Sequence, residues 1–144
     1  MRRIPSWPLA CLAIFFLAGC AKEIPAELQR GPSTPRISGT ISYQESITLP
    51  SGSRIHISLL DAAAGADPRP LATSEQPASG LPPFAFDLPV DEAALAAAGR
   101  PRLFVQVIVA GRSWFSNATT PMAVDAAALN APIVVQLRND MRPL

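Results

Sequence analysis

From Arg36 onward, apolar and polar residues alternate with a period of two. Ile37, Gly39, Ile41 and Tyr43 fall on one side of an extended chain, and Arg36, Ser38, Thr40 and Ser42 on the other. Successive side chains of a strand point to opposite faces, so this alternation predicts a half-buried strand. Pro50-Ser51-Gly52-Ser53 predicts a turn, and Ile55, Ile57 and Leu59, alternating with His56 and Ser58, predict a second strand. Asp61 to Pro70 has the alanine, glycine and proline of a loop, and Leu71 to Gln76 fits a short edge strand. Beyond Pro82-Pro83, Phe84, Phe86 and Leu88 alternate with Ala85 and Asp87. Leu103, Val105, Val107 and Val109 mark the longest strand, and Ala110-Gly111 turns the chain into Arg112 to Asn117. Ile133, Val135 and Leu137 close the pattern.

Helical signals are few. Asp91 is placed to cap a turn, Glu92 suits its positive end, alanines follow and Gly99 can close it. A second helical turn fits Asp125 to Asn130. Short strands without a long 3.6-residue period predict an all-β fold, a small antiparallel β-sandwich of about seven strands with one or two helical turns. This domain spans residues 36–140, with 141–144 as a tail.

The Ala110-Gly111 turn permits a sharper expectation. With a two-residue loop Val109 faces Arg112, and continuing that register puts Val107 beside Trp114 on the core side. Phe104, Ile108 and Phe115 then share the opposite face with Gln106, as a candidate partner surface or a patch covered by the protein's own loops. A one-residue slip would exchange the faces.

The first twenty residues follow another rule. Arg2 and Arg3 precede a wholly apolar run, Leu9 to Ala18, and no acidic residue occurs before Glu23. That is the layout of an export signal, shorter than the ~20 residues of a membrane span. The run ends in Leu17-Ala18-Gly19-Cys20, which resembles the bacterial lipobox. The resemblance implies cleavage before Cys20, a diacylglyceryl group on its thiol and further acylation of the new amino terminus. Without it, residues 1–19 read as an ordinary signal peptide or a short anchor. Residues 20–35, with Pro25, Gly31, Pro32 and Pro35, read as a flexible tether, or alternatively as a first strand packed on the domain.

The chain has two cysteines, Cys11 and Cys20, and the first leaves with the signal. The mature chain therefore has no pair for a disulfide and no cysteine cluster for zinc or iron–sulfur chemistry. Removing Arg2 and Arg3 from the twelve basic residues leaves ten against eleven acidic ones, a formal charge of −1. There is no basic stripe for nucleic acid. His56 is the one histidine, on the polar side of its strand, and no Gly-x-Ser-x-Gly elbow or glycine-rich phosphate loop is present. Asn117-Ala118-Thr119 matches a glycosylation acceptor that a bacterial lipoprotein would not expose to that machinery. No catalytic residue, metal or cofactor is expected.

The order of segments resembles a known family. Ile37-Ser38-Gly39-Thr40-Ile41-Ser42-Tyr43, Ile47-Thr48-Leu49-Pro50, Ile55 to Asp61, Phe84 to Pro89 and Val105 to Phe115 are similar to the YbaY-like lipoproteins, related to the YscW-type lipoprotein chaperones of type III secretion. The likeness spans about residues 36–138, with Val90 where many relatives carry an aromatic. It implies a β-sandwich and, for the secretion branch, a pilotin that grips a secretin subunit. Ala21 follows the cysteine in place of the aspartate that retains lipoproteins in the inner membrane, which implies the periplasmic face of the outer membrane. The reading favoured by the sequence is a monomeric, non-catalytic envelope module of the YbaY type, joined to the membrane by lipid and binding a secretin or another envelope protein. The alternatives are a pilotin-like chaperone and an envelope enzyme or carbohydrate-handling protein.

Overall fold

The computed structural model describes residues 34–65 and 67–141. Leu17, Ala18, Gly19 and Cys20, with the rest of the export signal and nearly all of the tether, lie outside the described residues. Eight strands follow in chain order: β1 (Arg36–Tyr43), β2 (Leu49–Asp61), β3 (Arg69–Gly80), β4 (Phe84–Pro89), β5 (Pro101–Val109), β6 (Arg112–Ser116), β7 (Met122–Ala123) and β8 (Ile133–Asn139). One short helix, α1 (Glu92–Ala97), and 3-10 turns at Ala62–Ala64 and Ala126–Leu129 interrupt them. The fold is all-β, as the alternation predicts.

The strands form one path, β3-β2-β5-β6-β8-β1-β4, with β7 also pairing β5. Two departures from an antiparallel sandwich are visible. β1 and β8 are parallel, Gly39 beside Ile133 and Tyr43 beside Leu137. The two groups of strands are also joined, since Phe115 and Ser116 of β6 pair with Asn139 and Arg138 of β8. The path nearly closes into a barrel: Gln76 Nε2 on β3 donates to the Ala85 carbonyl on β4 at 2.8 Å. Parallel pairing needs a long connection between the strands, so no short-range signal announces it.

The alternating residues meet inside. Ile37, Ile41, Ile55, Ile57, Leu59, Leu88, Leu103, Val105 and Val107 are all fully or almost fully buried. Gly39 is where β1 and β8 come closest: a Cβ there would lie 1.9 Å from the Ile133 carbonyl oxygen. Any side chain at this point would separate the parallel pair.

Several expected boundaries move. The turn at Pro50–Ser53 is an irregularity within β2, where the β2–β3 register shifts between Leu49 and Ser53 and the Ser53 hydroxyl donates to the Pro50 carbonyl at 2.7 Å. β3 is twice the expected length. Its core-facing side carries Ala72, Ser74, Gln76 and Ala78, and Pro70 and Pro77, which bound the expected segment, fall within the strand because its edge position tolerates them. Asp91 caps α1 as expected, accepting from the Ala93 and Ala94 N–H groups. Gly99 does not close that helix, whose C-cap is Ala98; its N–H donates to Asp61 instead. Asp125 caps the Ala126–Leu129 turn.

The β5–β6 hairpin corrects the face assignment. Val109 pairs with Arg112 and Ile108 with Ser113, so the two-residue loop is right, with Ala110 and Gly111 both at positive φ. The register then shifts, and Val107 pairs with Phe115. Trp114 is the extra residue of a β-bulge, which lets both Trp114 and Phe115 lean on the core. Phe115 is 0% exposed and stacks on Tyr43 with ring centroids 4.0 Å apart. It does not share a face with Phe104 and Ile108.

Candidate partner-binding face

Opposite residues of an antiparallel pair share a face, so the registers of β3, β2 and β5 map the outer surface of this half of the sheet. Arg54 lies beside Ile108, His56 beside Gln106, Ser58 beside Phe104 and Leu60 beside Arg102. All except the exposed Arg54 are half-buried. Leu60, Phe104 and Ile108 are absent from the apolar residues packed on the core, as their side of the sheet requires. Of the three residues expected to form a partner surface, the structure keeps Phe104 and Ile108 together and removes Phe115. Leu60 and Arg102, missed in the sequence, join them through the β2–β5 register, which short-range alternation does not contain.

The charges on this face are unevenly satisfied. Glu75 on β3 pairs with Arg54 through its guanidinium Nε and with His56 Nε2 at 3.0 Å. His56, Ser58, Thr73, Ser74 and Glu75 border a shallow groove of about 350 Å³ next to Phe104. At the Ile108 end, the Ser113 hydroxyl donates to Asp140 at 2.8 Å. At the opposite end Arg102 has no ion-pair partner among the described residues.

Behind Arg102, the backbone is pinned by Asp61. Its carboxylate accepts from Ala63 N–H at 3.0 Å, Arg100 N–H at 2.9 Å and Gly99 N–H at 3.3 Å. Hydrogen bonds from Ala63 and Arg100 hold the Asp61 carboxyl below the usual carboxylate range, against the opposing effect of burial. The free edge of β5 is shared three ways. β6 pairs its second half, β7 pairs Arg102 and Leu103, and the buried Asn117 amide fills the gap. Asn117 Oδ1 accepts from Val105 N–H at 2.8 Å, and its Nδ2 donates to the Leu103 carbonyl at 3.0 Å. The Asn117 of the acceptor motif is thus a strand mimic inside the fold. Burial, with Glu45 adding to it, raises the Tyr43 phenol above its ordinary pKa, and its hydroxyl donates to the Ile47 carbonyl at 2.6 Å.

Among the described residues, no three metal-ligating side chains come together and no helix is long and apolar enough to cross a membrane. The arrangement is a mixed apolar and polar surface of side chains.

The sequence model of the type III secretion system lipoprotein chaperones (YscW) matches residues 32–137. Among solved structures, the chain is similar to an alternative pilotin from the type II secretion system of Vibrio cholerae. The likeness has a TM-score of 0.60 and 25% identity, over 72% of this chain and 96% of that one. No curated protein matches in sequence.

Proposed function

The chain belongs to the type III secretion system lipoprotein chaperone family, and from that membership we propose that it acts as a pilotin. In this reading it binds a secretin subunit and accompanies it to the outer membrane. The observation that carries the reading is the structural likeness to a pilotin over nearly all of that protein's length. It favours the chaperone alternative over the YbaY-type envelope module without a defined client that the sequence put first.

The physical scheme needs an anchor, a tether and a docking surface. Lipid on Cys20 supplies the anchor, since acyl chains contribute ~0.8 kcal/mol per buried CH₂ and several chains together resist release. Residues 21–35 give the domain reach toward its client. In this scheme the domain acts by binding its client. It resides on the periplasmic side of the outer membrane as a monomer until the client binds.

The test is an affinity capture of the tagged, lipidated protein from membranes beside a Cys20→Ser form. Recovery of a secretin, with secretin multimers lost in the Cys20→Ser strain, supports a pilotin. If no secretin is recovered while the protein still fractionates with the outer membrane, the role is another envelope function.

A further inference from the structure

We infer that the edge of β8 along Ile133–Leu137 receives an extended segment of another polypeptide, which pairs with it antiparallel as an added strand. This edge is a site of its own and does not depend on the pilotin reading.

The edge lacks a backbone partner. β6 pairs with β8 only at Arg138 and Asn139 and then leaves it. The Asp140 N–H donates to the Trp114 carbonyl of β6 at 2.8 Å, and successive residues of a strand turn their peptide groups to opposite sides. Arg138, Gln136 and Val134 therefore turn their N–H and C=O groups toward the β6 side, while Val135 and Leu137 turn theirs toward β1. Among the described residues, nothing bonds to the peptide groups of Val134 and Gln136 on that side. Across from them, β7 pairs only with β5, and the Val124 N–H donates to the Pro101 carbonyl at 3.3 Å. By the same alternation Ala123 turns its peptide groups away from β5, so they too are left without a strand.

The edge also lacks the protection that the other edges carry. Open edges template further strands, and proteins blunt them with proline, charge or a bulge. β3 contains Pro70 and Pro77, which lack N–H groups, β4 ends at Pro89, and the Ala85 carbonyl already accepts from Gln76. Ile133-Val134-Val135-Gln136-Leu137 has no proline and no charge, and its pairing with β1 runs without a break. Among the described residues, Val134 is the one large apolar strand residue that is exposed, at 58%. An unprotected edge of this composition is suited to being covered by another strand.

The surroundings state the chemistry of the occupant. Beside the edge, Ala123, Ala127, Ala128 and Ala131 join Val124 and Ile133 around a pocket of about 330 Å³. Alternate side chains of an added strand point inward, so the one beside Ile133 enters this pocket, and an aliphatic side chain fits its lining. Opposite charges bound the uncharged edge: Arg138 follows it at one end, and Asp125 lines the pocket at the other. An antiparallel segment runs from the Arg138 end to the Asp125 end. An acidic residue before its aliphatic centre and a basic one after it complement both. The occupant is a single slender strand rather than a second β8, because each β8 edge is flanked by its own Ala126–Leu129 turn.

The experiment selects random peptides displayed on phage against the full-length lipidated protein in detergent micelles and tests each against Val134→Pro. Proline there removes one N–H from the open edge and none from the β1 pairing, so the fold is retained, as thermal unfolding checks. The expected result is peptides of alternating aliphatic residues whose affinity falls about tenfold or more for Val134→Pro. Bound peptide should also slow hydrogen exchange at the Val134 and Gln136 amides, which exchange faster than Val135 in the free protein. If Val134→Pro lowers the melting temperature, N-methylation of the peptide residues that face the edge removes the same hydrogen bonds and keeps the test. Peptides that bind Val134→Pro or the N-methylated form equally well, peptides that protect other amides, or the recovery of none would each overturn the inference. So would slow exchange at Val134 and Gln136 in the protein alone. That result would mean the edge is already covered, by a second copy if it depends on concentration and by this chain if it does not. Secretin capture tests the pilotin reading separately, so either can fail while the other stands.

Discussion

Two halves of one sheet, built from the same alternation, present opposite surfaces to solvent. β1, β4 and β8 bury Ile37, Ile41, Phe86, Leu88, Val135 and Leu137 and turn serine, threonine, aspartate and the exposed Val134 outward. β2 and β5 bury Ile55, Ile57, Leu59, Leu103, Val105 and Val107 as completely, yet turn Leu60, Phe104 and Ile108 outward. The first half is what stability alone requires of a half-buried sheet. The second also places three half-buried apolar side chains on its outer side, which that requirement does not ask for. Completeness of burial inside therefore says nothing about what a sheet does outside.

The contrast is sharpest between two phenylalanines. Phe115→Ala should cost about 4 kcal/mol in urea unfolding, because it empties a fully buried site and removes the ring stacked on Tyr43. Phe104→Ala should cost less than about 1 kcal/mol, since Phe104 is half-buried and outside the core cluster. Equal losses of stability would mean that Phe104 belongs to the core and would break the distinction between the two faces.

Next in size is Gly39→Ala. The added methyl would run into the Ile133 carbonyl, so β1 and β8 must part, at a cost of about 3 kcal/mol read by thermal unfolding. A neutral result would show that the parallel pair is not the close contact joining the polar half of the sheet.

Asn117→Ala should cost about 2 kcal/mol, because it strands the buried Val105 N–H and Leu103 carbonyl on β5. Hydrogen exchange should rise at Val105 ahead of the rest of β5. Exchange unchanged at that amide would remove Asn117 as the link between β6 and β7.

The smallest expected effect is on pH dependence. The Asp61 carboxyl has a folded pKa below its unfolded value, so it contributes stability above the unfolded pKa that is lost as pH falls through the lowered folded one. Wild-type stability should decline on acidification below about pH 4, and Asp61→Asn should flatten that decline while lowering the neutral plateau. An acid limb identical in both proteins would show that Asp61 does not anchor the Gly99–Arg100 backbone behind Arg102.

Much of the fold is legible in residue order. The alternations at 36–43, 55–59, 84–88, 103–109 and 133–137 each became a strand, and Asp91 and Asp125 each cap a short turn. These features are local: a period of two and a capping carboxylate act within a few residues. β3 runs past both ends of the expected segment because Pro70, Pro77 and Gly80 signal breaks along the chain that an edge strand tolerates. The candidate site was legible in part. Phe104 and Ile108 follow from the Ala110-Gly111 turn, whereas Phe115 was misplaced by a bulge that two bulky neighbours, Trp114 and Phe115, create by both seeking the core.

By itself, then, the sequence determined the all-β class, most of the strands, the two aspartate N-caps and the two-residue hairpin loop, because each depends on side chains close together along the chain. Only the tertiary structure decided that β1 lies parallel to β8, that the Asn117 amide completes the edge of β5, and that Leu60 and Arg102 stand beside Phe104. Those contacts join residues from 12 to 94 positions apart. They are selected by the packing of the whole core rather than by local backbone preference.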